Sequence, residues 1–519
     1  MWWPFKERYS ECHPKDTDSK TYDYVVIGGG TAGCALASRL SENADISVLV
    51  LEYGPANDTW LSRNPVISSD PTVPTFGSTR WQCETMEHCD NRRSGVIRGE
   101  VLGGTSRINS MIYTRGCAAD YDAWAALGHH EWSYDKVLPY FVKSETSLDY
   151  GKSSYHGNSV SPTALRLWGS YLFQTQMHRT LPQTDWQLCH LLSTNNESEY
   201  PAFRHFCHER LLWKEKNLTI CTNTTIARIG FEQGHGKPCT DKIFFKSSDP
   251  ALEKVYAAKV NKEVIVCAGA IGSLQVLMLS GIGPGEELKK HGIDVVYDLP
   301  GVGAELTEHL SVPVAWETLA LYVRSRLLNT EHTGIISTNK DSSDPLDFIP
   351  DIELIPLSTS AMDNFDESEF KLIFSKTPIY SVLATMLQPQ SRGTVRLTSS
   401  SPHDKPQVDY GILSNPADYT VARSARLDVQ SNSTEELDKF IRKRIRTTFH
   451  YASTCRMVPE HDATGKAPGV VDDELRVYGV KGLRVCDTSV FPRMVSGHLQ
   501  APAVMVAEKC ADLIKAGHQ

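Results

Sequence analysis

Gly28, Gly30 and Gly33 form a G-x-G-x-x-G string, and an acid, Glu52, stands 19 positions after the last of them. That combination suits a dinucleotide. Gly28 permits a tight turn, Gly30 lets backbone N–H groups approach a pyrophosphate, Gly33 lets a helix pack on a strand, and Glu52 can bind a ribose hydroxyl. An acid rather than a basic group at that place disfavours a 2′-phosphate. Thr31 and Ala32 in the turn and Tyr53 after the acid complete the expected lining. The motif alone does not separate NAD from FAD.

The elements that must hold these groups surround them. The apolar run Tyr24–Ile27 reads as a strand, the glycine string as its turn and Cys34–Leu40 as a helix of small residues; Ile46–Leu51 is a second strand ending on Glu52, which completes a βαβ unit. The most apolar stretch, 264–283, starts as a strand, turns at Ala268-Gly269-Ala270 and continues as the helix Leu274–Leu279. Gln275 and the glycines within it argue against a membrane span. The run Ile441-Arg-Lys-Arg-Ile-Arg446, with two Ile four apart, reads as the solvated face of a helix that leads into a strand.

Composition narrows the class. A chain of 519 residues accommodates two large or three ordinary domains, and 53 basic against 62 acidic residues, a net charge of −9, disfavour a nucleic-acid partner. Apolar and charged fractions of 40% and 22% are those of a folded soluble protein. The N-terminal twenty residues lack the apolar core of a secretory signal. The 13 cysteines include no C-x-x-C pair and fit reduced thiols, so the expected location is cytoplasmic. Sequons at Asn57, Asn196, Asn217, Asn223 and Asn432 are then chance. His205, Cys207 and His208 lack a second ligand pair at zinc spacing, and no metal is expected.

A second glycine-rich segment, Arg98-Gly99-Glu100-Val101-Leu102-Gly103-Gly104-Thr105-Ser106-Arg107-Ile108-Asn109-Ser110-Met111, resembles the flavin-attachment loop of the glucose–methanol–choline (GMC) oxidoreductases. The resemblance continues, in the family's order, through Gly269–Ser273 with Ser280–Gly283, then Gly301-Val302-Gly303 to Glu308-His309, and finally Phe449-His450 to Met457 and Leu483 to His498. It spans Tyr22 to Ile514, and its wording is similar to fungal members. The implied fold is α/β: a Rossmann-like FAD-binding domain with a second α+β substrate domain built on an antiparallel sheet. Residues 22–118, 217–312 and 446–519 then form the FAD domain, 119–216 and 313–445 the substrate domain, and 1–20 a flexible tail.

The resemblance selects FAD. Gly103 and Gly104 would let an isoalloxazine ring lie against backbone. Thr105, Asn109, Ser110, Met111 and Ile112 surround it, and amide N–H groups polarise its N5 edge. No His stands between Arg98 and Met111, where the family commonly attaches flavin covalently, so non-covalent FAD is expected. Ile226, in the strand pair Asn217–Ile229, matches the family's adenine contact, and Asp487, after Val485-Cys486, the acid near the pyrophosphate.

His450 and His498, 48 residues apart, match the family's paired active-site positions. Oxidising an alcohol requires removal of the hydroxyl proton while the carbon-bound hydrogen leaves as hydride, and a neutral imidazole suits the first task near pH 7. His450 is expected as principal base and His498 as hydrogen-bonding or proton-shuttling partner; the other sixteen histidines read as ordinary residues. Three places in the substrate domain look shorter than in the family: after Tyr155-His-Gly-Asn, after Trp316-Glu-Thr and after Ala425-Arg-Leu-Asp-Val. They imply an open pocket or a disabled enzyme. The implied activity is FAD-dependent oxidation of an alcohol on a small organic molecule, with O2 or a quinone-like acceptor, in fungal secondary-metabolite biosynthesis. Two alternatives stand beside it: a flavin-containing cyclase or lyase whose two histidines do acid–base work only, and a non-catalytic FAD-binding relic.

Overall fold

Unbroken aliphatic runs fold as strands buried on both faces of a mostly parallel sheet. The computed structural model describes residues 11–57, 77–110, 112–145, 153–157, 217–232, 236–317, 334–336, 349–357, 379–424, 433–461 and 468–518. Its first elements are β1 (Glu11–Cys12), β2 (Thr21–Ile27), α1 (Thr31–Leu40) and β3 (Val48–Leu51). A hairpin of β4 (Ser78–Gln82) and β5 (Gly95–Gly99) precedes α2 (Ala118–Ala126) and α3 (Tyr134–Ser144). Next come β6 (Leu218–Cys221), β7 (Thr224–Glu232), β8 (Cys239–Ser247), β9 (Tyr256–Val266) and α4 (Gly269–Leu279). β10 (Leu310–Glu317), β11 (Gly334–Ile336), β12 (Ile352–Leu357) and β13 (Ile379–Met386) follow, then the hairpin β14 (Thr394–Arg396) and β15 (Gln407–Asp409). α5 (Thr434–Arg444), β16 (Arg446–Thr447), β17 (Leu483–Val485) and α6 (Gln500–Gly517) come last.

The first sheet runs β1-β6-β3-β2-β9-β8-β7, with β17 also paired to β9. Its pairs are parallel except those of β8 with β7 and β9. Ile27 lies opposite both Leu51 and Val266, and Val485 opposite Val266, so four strands end level. Gly28, Glu52, Cys267 and Cys486 follow those ends, on the side where open α/β sheets bind ligands. α6 packs on α1 and α3, and the α1–α6 contact encloses a buried ion pair, Arg39 Nε to Glu508 Oε2 at 2.5 Å.

The second sheet, β11-β12-β13-β10-β16, is antiparallel throughout. Its pairing of β10 with β16 sets Leu310 opposite Thr447, which brings His309 beside the segment that carries His450. The two sheets are the architecture that the resemblance implies.

The expected loose tail is corrected over residues 11–20. Glu11 and Cys12 pair with Ile220 and Cys221, and Thr17 is fully buried. The cause is the otherwise open edge of β6, whose backbone groups need partners. Residues 1–10, the His205–His208 cluster, and the segments after Asn158 and Trp316-Glu-Thr and from Ala425 to Val429, where shortening is expected, lie outside the described residues. Among the described residues no helix is long and apolar enough to cross a membrane, and no group of three His, Cys, Asp or Glu could hold a metal.

Candidate active site

A cavity of about 530 Å³ opens at the level strand ends, a size typical of cofactor and ligand sites. Gly28, Gly30, Thr31 and Ala32 line it from the first turn, and Glu52 and Tyr53 from the end of β3. Gly104, Thr105, Asn109, Ser110 and Ile112 line it from the second glycine-rich segment, Ile226 from β7, and His450, Asp487 and His498 from the C-terminal part. Met111 lies outside the described residues.

The glycines divide by what a side chain would meet. A Cβ at Gly33 would stand 1.9 Å from the Gly28 carbonyl oxygen, so that glycine serves helix-on-strand packing and does not line the cavity. Gly103 does not line it either, which corrects its expected place beneath a flavin ring. Its φ of +95° starts the left-handed turn into residues 104–107, and a Cβ there would strike Arg107. Gly104 touches the first turn, where a Cβ would lie 2.7 Å from Gly30 Cα. At Gly30 itself a Cβ would meet no protein atom closer than 3.8 Å, so the protein's own packing does not demand glycine there.

Two buried acids brace these loops. Glu52 accepts from the N–H groups of Gly29 (2.8 Å) and Gly54 (2.9 Å), and burial pushes its carboxyl up to about 7. Each oxygen keeps a second lone pair. Asp487 accepts from Gly269 N–H (2.9 Å) and Ser273 Oγ–H (2.5 Å), pinning the start of α4, and from Ser489 N–H (2.8 Å). Burial raises its carboxyl too.

Three imidazoles meet where His450 and His498 line the cavity, His309 lying behind them. The ring of His450 lies 4.7 Å from that of His498 and 5.1 Å from that of His309, centroid to centroid, both edge-to-face. His309 is fully buried, with Nδ1 2.9 Å from His450 Nδ1 and Nε2 3.0 Å from the Val495 carbonyl oxygen. Burial, then the neighbouring imidazoles, hold His450 well below the usual imidazole range. Burial brings His309 to about 4 against the opposing charge of Glu353, so both rings are neutral near pH 7. Nε2 of His498 is 3.3 Å from Glu353 Oε1, and its backbone N–H donates to Thr114 Oγ1 at 2.7 Å.

The backbone carrying His450 is clamped by Glu308. This buried carboxyl accepts from His450 N–H (2.7 Å) and from the hydroxyl of Thr447 (2.6 Å), with Thr448 Oγ1 at 3.3 Å, and burial lifts it to about 8. Phe449, between them, has φ +64°, a conformation that a bulky residue keeps only where its surroundings impose it. Its ring packs on Ile97 and Ile108 of the second glycine-rich region.

His309, Glu308 and Glu353 have no role assigned from the sequence. The Glu308-His309 pair stands in one of the resembling motifs, but its link to His450, 141 residues on, exists only through strand pairing. Glu353 carries no sequence signal beyond being an acid within an apolar strand.

Residues 22–311 and 389–507 match the two family models described as GMC oxidoreductase. The chain is 33% identical to the oxygen-dependent choline dehydrogenase of Proteus mirabilis (strain HI4320) over 556 positions, covering 95% of this chain and 96% of that one. It is similar to the solved structure of pyridoxine 4-oxidase from Mesorbium loti, with 24% identity, a TM-score of 0.75, and 96% and 100% of the chains covered. A fungal aryl-alcohol oxidase is similar at 26% identity and a TM-score of 0.70, with 96% and 99% covered. The chain belongs to the GMC oxidoreductase family. Its cofactor is FAD, and its reaction class is oxidoreduction of CH–OH groups.

Proposed function

We propose that the protein oxidises an alcohol group of a small organic molecule in this cavity, His450 taking the hydroxyl proton while His498 holds the oxygen. The contact of the two imidazoles, ring centroids 4.7 Å apart in a cavity that the two glycine-rich segments also line, carries this proposal. FAD, when bound, supplies the hydride acceptor. His450, kept neutral by burial, has a lone pair available for the proton. His498, tied to Glu353 and Thr114, has a fixed place from which to orient the oxygen.

The residues present fit FAD. Gly30 offers bare backbone, and a Cβ at Gly269 would meet nothing within 4 Å. The N-termini of α1 and α4 both start at this cavity and suit a pyrophosphate. Arg98 Nη1, buried at the cavity edge and unpartnered among the described residues, is a donor awaiting an acceptor. Glu52 would take ribose hydroxyls, Ile226 the adenine, and Asp487 would hold α4 toward the pyrophosphate. Gly28, Thr31, Ala32, Tyr53, Gly104, Thr105, Asn109, Ser110 and Ile112 would complete the lining. The segment 98–110 has no His, which supports non-covalent binding.

The likeness to oxygen-dependent choline dehydrogenases favours O2 as acceptor, and the fungal aryl-alcohol oxidase supports a fungal, specialised role. An alignment of 556 positions, longer than the chain, supports a chain shortened relative to that choline dehydrogenase. The eleven free cysteines among the described residues favour a reducing, cytoplasmic compartment. The test is an anaerobic absorbance spectrum of the FAD-loaded protein with choline, pyridoxine, benzyl alcohol and an aliphatic alcohol. Bleaching of the flavin band by at least one is expected; a bound band that persists with all four would turn the assignment toward acid–base chemistry without redox.

A further inference from the structure

We propose that His309 is a positioning residue that fixes the tautomer of His450, holding its proton on Nδ1 so that Nε2 alone presents a lone pair to the substrate. This deepens the assignment of His450 as base and rests on it for its functional meaning. The chain of hydrogen bonds runs outward from a group whose role cannot change. The Val495 carbonyl oxygen can only accept, so the His309 Nε2 that lies 3.0 Å away carries a hydrogen. Neutral imidazole has one N–H, which leaves Nδ1 of His309 bare. That bare nitrogen is 2.9 Å from Nδ1 of His450, and the contact is a hydrogen bond only if His450 donates.

The second neighbour of His450 Nδ1 is also an acceptor. Thr448 Oγ1 donates its hydrogen to the His309 carbonyl oxygen at 2.9 Å and turns a lone pair toward His450 Nδ1 at 3.3 Å. Both partners of this nitrogen therefore demand a proton on it, and Nε2 is left bare on a residue that lines the cavity. The opposite polarity needs a protonated His309, which burial disfavours by holding that ring at about 4. Of the other ionisable groups nearby, Glu308 takes the backbone N–H of His450, His498 further disfavours a charge on either ring, and Glu353 pairs with His498 while its charge opposes, without overcoming, the effect of burial on His309. When His450 accepts a proton on Nε2, its Nδ1–H already has two acceptors, so the imidazolium forms without reorganisation. Val495 lies three residues before His498 and its carbonyl also accepts from Gly497 N–H at 2.9 Å, so one turn sets the register of both working histidines.

The experiment is a two-bond 1H–15N correlation spectrum of FAD-loaded enzyme labelled with 15N-histidine, the His450 signals being identified by their loss in His450→Gln. Wild type is expected to show Nδ1 of His450 protonated and Nε2 bare at pH 7. His309→Asn should keep this pattern, because its amide oxygen can accept from His450 while its NH2 donates to Val495. His309→Leu, of similar bulk but without an acceptor, should lose it. Flavin reduction by the best alcohol should fall roughly 10²–10⁴-fold in the Leu variant, the span of a general base, and recover to within about 10-fold in the Asn variant. A proton on Nε2 in wild type, or an unchanged tautomer in His309→Leu, would overturn the proposal. The tautomer is read without turnover, so an Nδ1–H signal together with an unimpaired His450→Ala would sink the base assignment and leave the tautomer assignment standing.

Discussion

Replacing Glu308 by Gln probes the buried acid that holds the His450 segment. Glu308 is 3% exposed and accepts one backbone N–H and the Thr447 hydroxyl, yet burial outweighs these donors and lifts its carboxyl from 4.5 to about 8. At 1.36 kcal/mol per pH unit that interval corresponds to about 5 kcal/mol at most. The sign follows from the proton: between pH 4.5 and 8 the folded protein keeps it and the unfolded chain has lost it, so this group's contribution to stability declines as pH rises through the window. Gln keeps an acceptor for His450 N–H and has no proton to lose. Relative to wild type, Glu308→Gln should therefore gain about 3–5 kcal/mol on going from pH 4.5 to 8.5. Denaturant unfolding of both FAD-loaded proteins across that range reads the difference directly. A stability difference that does not change with pH would mean that Glu308 is ionised throughout, and that its donors outweigh its burial.

Gly30→Val should leave the fold intact and abolish FAD uptake, because at φ −81° a Cβ there would meet no protein atom closer than 3.8 Å and would stand in the cavity that the cofactor would fill. Unchanged far-UV circular dichroism without a flavin band is expected, and a retained band would refute the fingerprint's role. Glu508→Ala removes one of the two carboxylates that Arg39 meets, Glu42 Oε1 remaining at 2.7 Å from its Nη1, and should cost about 1.5–3 kcal/mol. A thermal melt shows this, and a loss below about 1 kcal/mol would argue against it. Because His450 is held below the usual imidazole range, flavin reduction should stay level as pH falls from 8 through 6.5 and decline only beneath that. A rate already halved at or above pH 6.5 would contradict a depressed base.

The strand–turn–helix units at Tyr24–Leu40 and Val264–Leu279 were legible because their determinants are local. A strand buried on both faces needs continuous aliphatics, and a turn against a neighbouring strand needs a glycine, as Gly28 shows with a Cβ position 2.5 Å from the Cys267 oxygen. The same holds for the basic segment 441–446, which falls at the end of α5 and runs into β16. What escaped is set by pairing between distant segments. Cys12 lies beside Cys221 on a two-residue strand, too short for any periodicity to show. His309 reaches His450 because Leu310 pairs with Thr447, and Glu353 reaches His498 because β12 lies in the same antiparallel sheet. Gly103 was legible as a necessary glycine but not for its reason, because the direction a Cβ would take depends on φ.

The most direct test of the central assignment is stopped-flow flavin reduction under anaerobic conditions in wild type and His450→Ala, with the alcohol that bleaches the wild-type band. The account predicts that the variant retains FAD and reduces it roughly 10²–10⁴-fold more slowly. FAD retained with an unchanged rate of reduction would contradict it.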